Sequence, residues 1–392
     1  MSENTSTGAF EETPKKRCRR VRFVCISDTH NQTLKLPKGD VLIHAGDLTN
    51  QGSLSELSKA VQWLEKADFE AKIVIAGNHD VTLDERFYAE YGSYLHNQSP
   101  QSPEECLKVL EASQTITYLN HSLATIELNK HSALRTSFTV FGSPYSPRNG
   151  MWAFGYDKIA PDTEGLDKDN RKCPSASETP TAVQLWSDIP LDTDIVITHT
   201  PPYTHCDEAT SKRRAMGCED LRRALWRVRP KLAVCGHVHE ARGADRVRWD
   251  ILGVSAAAFG ELSVEHWDDP GAGIMNNKIS LLDLTCRGGK RPLDNDGSPL
   301  RQGRPADRRG QGGVCQHCDG TATALPGLGT RGVGGKPEVS ARCDRRALCC
   351  RMGRRETCVV NCAIAATNWP HTGGKRFNKP MVVDLDLPVI KD

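Results

Sequence analysis

No long hydrophobic run occurs in the 392-residue sequence, and no apolar stretch approaches the ~20 residues that span a bilayer. We therefore expect no membrane-spanning helix. Charge of one sign is not in excess either, since 51 Lys and Arg residues face 49 Asp and Glu residues. Overall charge gives no case for a nucleic acid or an anionic membrane as partner. A hydrophobic fraction of 38% predicts a globular protein of one large domain or two ordinary ones.

The N-terminal segment lacks the apolar stretch of a secretory signal, because residues 1–13 are polar and acidic. We therefore expect a cytoplasmic protein. In that reducing compartment the 15 cysteines are expected to be free thiols rather than a disulfide framework. The basic cluster Lys15–Arg20 is interpreted as a solvated arm, with a nuclear-localisation signal as the alternative.

Strand and helix signals alternate in the first part of the chain. Residues 21–27, 40–45 and 72–76 are rich in β-branched residues and predict strands, and residues 53–66 predict an amphipathic helix capped by Ser53. This order indicates an α/β fold with a partly parallel sheet.

Further along the chain, helices no longer alternate regularly with the strands, which predicts a second, more antiparallel sheet. The additional strands are predicted at 116–119, 124–128, 137–141, 194–198 and 231–235, and further helices at 83–95, 103–112 and 217–229.

Composition divides the chain into four parts. Residues 1–20 form a polar and basic arm, and residues 21–284 form the main domain. Residues 285–356 are dominated by Gly, Arg, Pro, Asp and Cys and are interpreted as a disordered insertion. Residues 357–392 regain strand character and are expected to complete the same domain. A zinc module around Cys315 and a mistranslated segment are alternative interpretations of the insertion.

Five of the apolar runs end in side chains that can bind metals. Carboxyl ends of strands are where ligand sites gather in open α/β sheets. Each motif alone is more often a structural turn, but five together predict a metal site. Carboxylate, imidazole and amide donors without thiolate favour Mn, Fe or Zn over Mg. The motifs are Asp28-X-His30, Gly46-Asp47, Gly77-Asn-His-Asp80, His199 and Gly236-His-X-His239.

This motif series resembles the calcineurin-like metallophosphoesterase superfamily. Within it, residues 22–30, 72–79 and 229–232 are similar to the brain- and fetal-type metallophosphoesterase-domain proteins. The resemblance covers residues 21–242 and resumes at 357–388. It implies a four-layer α/β/β/α sandwich of two mixed sheets, the metallo-dependent phosphatase fold.

The resemblance also implies two metal ions. Asp28, His30, Asp47 and His239 would hold one ion, and Asp47, Asn78, His199 and His237 the other, with Asp47 bridging. Brain-type relatives often have Gly at the position of His237, so the histidine here predicts a complete two-metal site.

Two such ions can activate a bridging hydroxide for in-line attack on phosphorus. We interpret His79 as the general acid for the leaving oxygen, or as a donor to a phosphate oxygen, with Asp80 orienting its ring. The alternative is that His79 only packs.

The expected partner is a small phosphoester, with nucleotides among the candidates. Residues 46–52 lack the arginine that protein phosphatases of the superfamily carry after their Gly-Asp, which favours phosphodiesters such as cyclic nucleotides. Arg148, Trp152 and Tyr156 are candidates for substrate contacts, unless the aromatic residues only anchor their loop. A phosphomonoesterase acting on a small molecule or a protein, and a non-catalytic metal- or nucleotide-binding protein, are the alternatives.

Overall fold

The structure is a computed structural model. It describes residues 17–130, 132–157, 180–209, 214–250, 259–273, 275–287, 291–296, 353–367 and 374–390.

The described residues contain five α-helices, two 3-10 turns and seventeen strands. The helices are α1 (Leu54–Lys66), α2 (Glu85–Leu95), α3 (Pro103–Glu111), α4 (Ala182–Ser187) and α5 (Glu219–Val228). The strands are β1 (Cys18–Ile26), β2 (Val41–Ala45), β3 (Ala71–Ile75), β4 (Thr117–Tyr118), β5 (Ser122–Leu128), β6 (Thr136–Ser143), β7 (Ser146–Pro147), β8 (Gly155–Tyr156), β9 (Ile195–Thr198), β10 (Glu208–Ala209), β11 (Arg214–Ala215), β12 (Leu232–Cys235), β13 (Gly243–Trp249), β14 (Glu261–His266), β15 (Ser280–Asp283), β16 (Glu356–Asn361) and β17 (Met381–Pro388).

Two large sheets carry the fold. The first has the strand order β15-β17-β1-β2-β3-β4, and of its pairs only β17 with β1 is antiparallel. The second has the order β14-β13-β16-β12-β9-β6-β5 and contains three antiparallel pairs. The second sheet is therefore the more antiparallel one, as predicted.

Hydrophobic side chains separate four layers. One apolar cluster fills the space between the sheets, where Phe23 and Phe138 meet edge-to-face at 5.6 Å. A second cluster packs α1, α2 and α3 on the outer face of the first sheet, with Leu57 and Leu64 buried. A third packs α4 and α5 on the second sheet. These layers confirm the predicted α/β/β/α sandwich.

The helix α1 shows how local sequence and packing agree. Ser53 and Glu56 form a capping box that satisfies the first backbone N–H groups of the helix. Leu57, Val61 and Leu64 recur at helical spacing and are buried against the sheet. The predicted helix and its cap are confirmed.

Both C-terminal strands pair inside the large sheets rather than at their edges. Strand β16 lies between β13 and β12, and β17 lies between β15 and β1. The register of β17 with β1 runs from Cys18 opposite Pro388 to Cys25 opposite Met381. Each sheet is thus completed by a strand that follows the predicted insertion.

Several element boundaries differ from the predictions. Strand β1 begins at Cys18, and Arg19 is buried, with its guanidinium bound to Asp40 and Glu70 rather than solvated. Within the predicted insertion, Asn295 is buried and donates to the carbonyl oxygen of Glu356. Residues 297–352, which are most of that insertion, lie outside the described residues.

Strands β13, β14 and β15 and helix α4 were not predicted from the sequence. Among the residues that the structure describes, no helix is both long and apolar enough to cross a membrane.

Candidate metal centre

Five strands, three from the first sheet and two from the second, deliver polar side chains to one place. Asp28 and His30 follow β1, Asp47 follows β2 and Asn78 follows β3; His199 follows β9, and His237 and His239 follow β12. All seven predicted metal ligands are thus brought together.

The backbone bends sharply at these strand ends. Asp28, His30, Asp47 and His237 have positive φ angles of 52°, 44°, 54° and 67°. Such angles are uncommon for residues with a Cβ and store strain that the surrounding packing must hold. The strain lies at the residues that carry the donor atoms.

Two glycines allow the strand ends to approach one another. A Cβ at Gly77 would lie 2.3 Å from the backbone N and the Oδ1 of Asp47. A Cβ at Gly236 would lie 2.2 Å from Ser27 Oγ and 2.3 Å from Asp28 Oδ2. Glycine at these positions is therefore required by close approach.

Backbone carbonyl groups orient three of the histidine rings. His30 Nδ1 donates to the oxygen of Thr49 at 3.1 Å, and His199 Nδ1 donates to the oxygen of Ala45 at 3.0 Å. His239 Nδ1 donates to a carbonyl oxygen in the same way, at 3.3 Å. Because Nδ1 donates to a carbonyl oxygen in each ring, Nε2 is the nitrogen directed at the site, as in metal-binding histidines.

These Nε2 atoms face other atoms that can accept hydrogen bonds or bind a metal ion. His30 Nε2 lies 3.3 Å from His239 Nε2, which lies 3.3 Å from Asp28 Oδ1. His199 Nε2 lies 2.9 Å from Asn78 Oδ1. Acceptors that face one another repel unless a cation or a proton lies between them.

Asp47 lies between two sets of donors. Its Oδ2 is 3.8 Å from His30 Nε2 and 3.4 Å from His199 Nε2. His237 Nδ1 completes the second set at 2.7 Å from Asn78 Oδ1. Among the described Asp, Glu, His and Cys side chains, two groups have donor atoms within 4.8 Å of one another: Asp28, His30 and His239, and Asp28, Asp47 and His199.

The pKa values show which ligand histidines are neutral and which one must lose a proton to bind a metal ion. Burial lowers the pKa of His30 to about 4 and, with the nearby His199, that of His237 to about 3, so both rings are neutral ligands. Burial opposes protonation of His199 too, but Asp47 raises its pKa to about 9. Burial would raise the pKa of Asp47, yet His199 and His79 lower it well below its usual range. The donor set therefore fits divalent metal ions.

A family model described as calcineurin-like phosphoesterase matches residues 21–241. The chain belongs to this family. The C-terminal strands β16 and β17 lie beyond the matched residues.

Relatives of the calcineurin-like phosphoesterase chain have diverse names. Metallophosphoesterase domain-containing protein 1 of Homo sapiens is 36% identical over 229 residues, which are 57% of this chain and 61% of that protein. A UPF0046 protein of Caenorhabditis elegans is 30% identical over 243 residues, 62% of this chain and 71% of that protein. A protein named probable rhamnogalacturonate lyase C of Emericella nidulans is 37% identical over 233 residues, 59% of this chain but only 18% of its own length.

In this calcineurin-like phosphoesterase chain, His79 lies at the edge of the ligand cluster. Its Nδ1 donates to the carbonyl oxygen of Asn50 at 2.9 Å, and its backbone N–H donates to Asp47 Oδ1 at 2.8 Å. The ring lies 3.9 Å from the ring of Trp152 and edge-on to His30 at 4.8 Å. His79 is thus held by packing and by a carbonyl group, with Nε2 available to the cleft.

Asp80 does not have the predicted orienting role. It is fully buried, and its carboxylate accepts hydrogen bonds from the N–H groups of Gly77, Leu48 and Thr49 and from Thr49 Oγ1. Burial, with the nearby Asp47, raises its pKa to about 6. The prediction was wrong because the backbone behind β2 and β3 offers Asp80 several donors. Asp80 joins the two ligand-bearing loops, and Asn50 orients His79.

Two of the three predicted substrate contacts lie elsewhere. Tyr156 is fully buried and packs against Trp186 in the core of the second sheet. Arg148 donates to Asp157 Oδ1 at 3.0 Å and to the oxygen of Gly155 within its own loop. The prediction for Tyr156 was wrong, because its side chain is buried against Trp186 of α4, and Arg148 lies outside the described lining of the cleft.

Trp152 does line the cleft above the metal centre. This cleft has a volume of about 620 Å³ and contains His30, His79 and His239 in its wall. Amide side chains contribute further polar groups: Gln32, Asn50 and Gln51.

The chain also returns to the cleft near its C-terminus, where Lys375, Arg376 and Phe377 line it. These residues were not singled out from the sequence. A Lys-Arg pair immediately before the last strand was the available signal.

Proposed function

We propose that this protein is a metal-dependent phosphoester hydrolase that cleaves phosphodiesters, cyclic nucleotides among them. The observation that carries the proposal is the set of facing acceptors in the centre. His30 Nε2 faces His239 Nε2 at 3.3 Å, and His199 Nε2 faces Asn78 Oδ1 at 2.9 Å. Their rings are fixed by carbonyl groups, so the arrangement needs protons or metal cations between the facing atoms.

Two Mn, Fe or Zn ions fit this donor set. Asp28, His30 and His239 would hold one, and Asn78, His199 and His237 the other. Asp47 would serve both, because its Oδ2 lies between His30 and His199. Such ions supply Lewis acidity to a phosphoryl oxygen and make water nucleophilic near neutral pH.

The chain itself supplies proton transfer and positioning. His79 Nδ1 is occupied by Asn50, so Nε2 is the atom that can hold a proton and give it to the leaving oxygen. The ring of Trp152 at 3.9 Å limits the tilt of His79. The Asp47 carboxylate, which accepts the backbone N–H of His79, keeps this loop at a constant distance from the ligands.

The cleft supports a phosphodiester rather than a phosphoprotein substrate. Residues 46–52 contain no arginine that could clamp a phosphate dianion. A volume of about 620 Å³ accommodates a nucleotide-sized molecule, and Trp152 offers an aromatic surface in its wall.

The experiment is metal analysis of the purified chain, followed by a panel of substrates with added Mn. The panel contains bis-p-nitrophenyl phosphate, p-nitrophenyl phosphate, and 2′,3′- and 3′,5′-cyclic AMP. We expect bound transition metal and faster turnover of the diesters than of the monoester. Metal binding without turnover of any ester would instead establish a non-catalytic metal-binding protein, and a monoester preference would overturn the diester proposal.

A further inference from the structure

Residues 374–379, just before β17, form one wall of the metal-site cleft. Lys375 and Arg376 line this cleft together with the metal-site histidines His30 and His239. The segment lies outside the part of the chain that matches the family model.

The backbone of this segment is connected to the metal centre by hydrogen bonds. The N–H of Ala366 donates to the oxygen of Arg376 at 2.9 Å, and the N–H of the adjacent Ala365 donates to the oxygen of Asp28 at 3.2 Å. The neighbouring Thr367 accepts the Nδ1 proton of His239. Residues 365–367 thus contact both the metal-site residues and the segment, and this holds the backbone of Arg376 near the metal centre.

The charge of the segment is not neutralised within the described chain. Lys375 and Arg376 are exposed, and neither forms an ion pair with another described residue. Apart from the metal ligands, the described lining of the cleft contains no carboxylate. Two positive charges therefore face a cleft whose proposed metal ions would already neutralise the phosphoryl group under attack.

We propose that Lys375 and Arg376 bind a second phosphate of the substrate, separate from the phosphodiester that is cleaved. The substrate class is then a nucleotide diester with a further phosphate, an inference that rests on the proposed function. The guanidinium group presents paired N–H donors that match phosphate oxygens. Phe377, which is 49% exposed, lines the same cleft and offers a ring to the base.

The test uses two chromogenic diesters that differ by one group, thymidine 5′-(p-nitrophenyl phosphate) and its 3′-phosphorylated form. The variant is K375A/R376A. The control is K59A/R287A, which removes the same charge from two exposed positions outside the cleft. In wild type and control we expect the 3′-phosphate to lower KM about tenfold, and in the cleft variant less than about twofold, with kcat unchanged. Raising the salt concentration should reduce the preference of the wild-type protein for the 3′-phosphorylated ester.

Binding is measured independently of turnover by calorimetry on the metal-loaded chain, with thymidine 3′,5′-bisphosphate and thymidine 5′-phosphate. The tighter binding of the bisphosphate should disappear in the cleft variant alone. If no diester is hydrolysed but this binding difference persists, the proposed function fails and the phosphate site stands. Three results would overturn the inference. The K375A/R376A variant could keep the preference for the bisphosphate, or it could bind both ligands more weakly by the same factor. The third such result is that neither ligand binds the wild-type protein.

Discussion

Two clusters of histidine and carboxylate side chains in this protein balance their charges in different ways. In the metal centre, carbonyl oxygens accept the Nδ1 protons of His30 and His199, so the Nε2 atoms are directed at the other ligands. In the second group, His205 is 1% exposed and lies between two carboxylates, with Nε2 at 2.9 Å from Glu261 Oε1 and Nδ1 at 3.5 Å from Asp245 Oδ2.

The partners of each group decide which cation it needs. Arg222 adds a bidentate contact to Glu261, and His266 Nδ1 lies 2.7 Å from Asp245 Oδ1. The second group thus balances its carboxylates with histidine protons and a guanidinium group, although His205 Nδ1 makes an ion pair at 3.5 Å and no hydrogen bond. The metal centre has no arginine or lysine among its ligands, and a metal ion can take the place of the protons on its histidines. Histidine and carboxylate together therefore do not define a metal site; the tautomer that the backbone imposes does.

The largest loss of activity is expected from Asp47→Asn, a substitution in the metal centre. Asparagine tolerates the positive φ of this position but loses the charge shared by both donor sets. Metal content should fall, and turnover of bis-p-nitrophenyl phosphate should drop about a thousandfold, as for loss of several kcal/mol of charge stabilisation. Asp245→Asn is the matched control and should keep both properties. Equal losses in the two variants would contradict the distinction.

The metal centre was predictable from the sequence because its ligands directly follow strands. A β-branched run ending in Asp47 or His199 places the side chain at the edge of the sheet wherever the sheet forms. The His205 group has no such signal, since Glu261 and Asp245 lie on β14 and β13, two strands with no clear pattern in the sequence. Their pairing was not predicted.

Roles that depend on hydrogen-bond partners were also out of reach. The burial of Asp80 under the N–H groups of two loops is a consequence of tertiary packing. Tyr156 is buried because α4 packs against it. Lys375 reaches the cleft because β17, which follows it, pairs with β1. Local patterns specify strands and their ends, but not which distant atoms meet there.

The next largest effect is expected from His79→Ala, which removes a cleft-lining histidine that is not among the predicted metal ligands. Turnover of an alkyl phosphodiester should fall about a hundredfold, because its alkoxide needs a proton. A p-nitrophenyl ester, whose leaving group needs none, should lose much less, and metal content should not change. A uniform loss across both esters would show that the ring only packs.

A smaller effect, on stability, is expected from Glu261→Gln, a substitution in the His205 cluster. Although burial opposes it, hydrogen bonds from His205 and Arg222 lower the pKa of Glu261 to about 2, from 4.5. The two carboxylates likewise outweigh burial and raise the pKa of His205 above 6.5. The substitution should lower the free energy of unfolding by about 2 kcal/mol without changing metal content.

The pH dependence of this loss in the free energy of unfolding follows from the pKa shifts of Glu261 and His205. The contribution of Glu261 is fully present above pH 4.5 and is lost as the pH falls towards about 2. The contribution of His205 is fully present below pH 6.5 and is lost as the pH rises through its raised pKa. Urea unfolding should therefore show the largest difference between wild type and variant from pH 4.5 to 6.5. A difference that grew above that window would contradict the ion-pair account.

The smallest effect is expected from Thr49→Val. This substitution distinguishes the role of the Thr49 side chain from that of its carbonyl group, which binds His30. Thr49 Oγ1 donates to Asp80 at 2.7 Å and accepts from the N–H of Gly52 at 2.8 Å, while its carbonyl oxygen holds His30. Valine keeps the shape and the carbonyl group, so unfolding should become easier by about 1 kcal/mol while metal content and kcat stay unchanged. Loss of metal in this variant would mean that the side-chain network, and not the carbonyl group, orients His30.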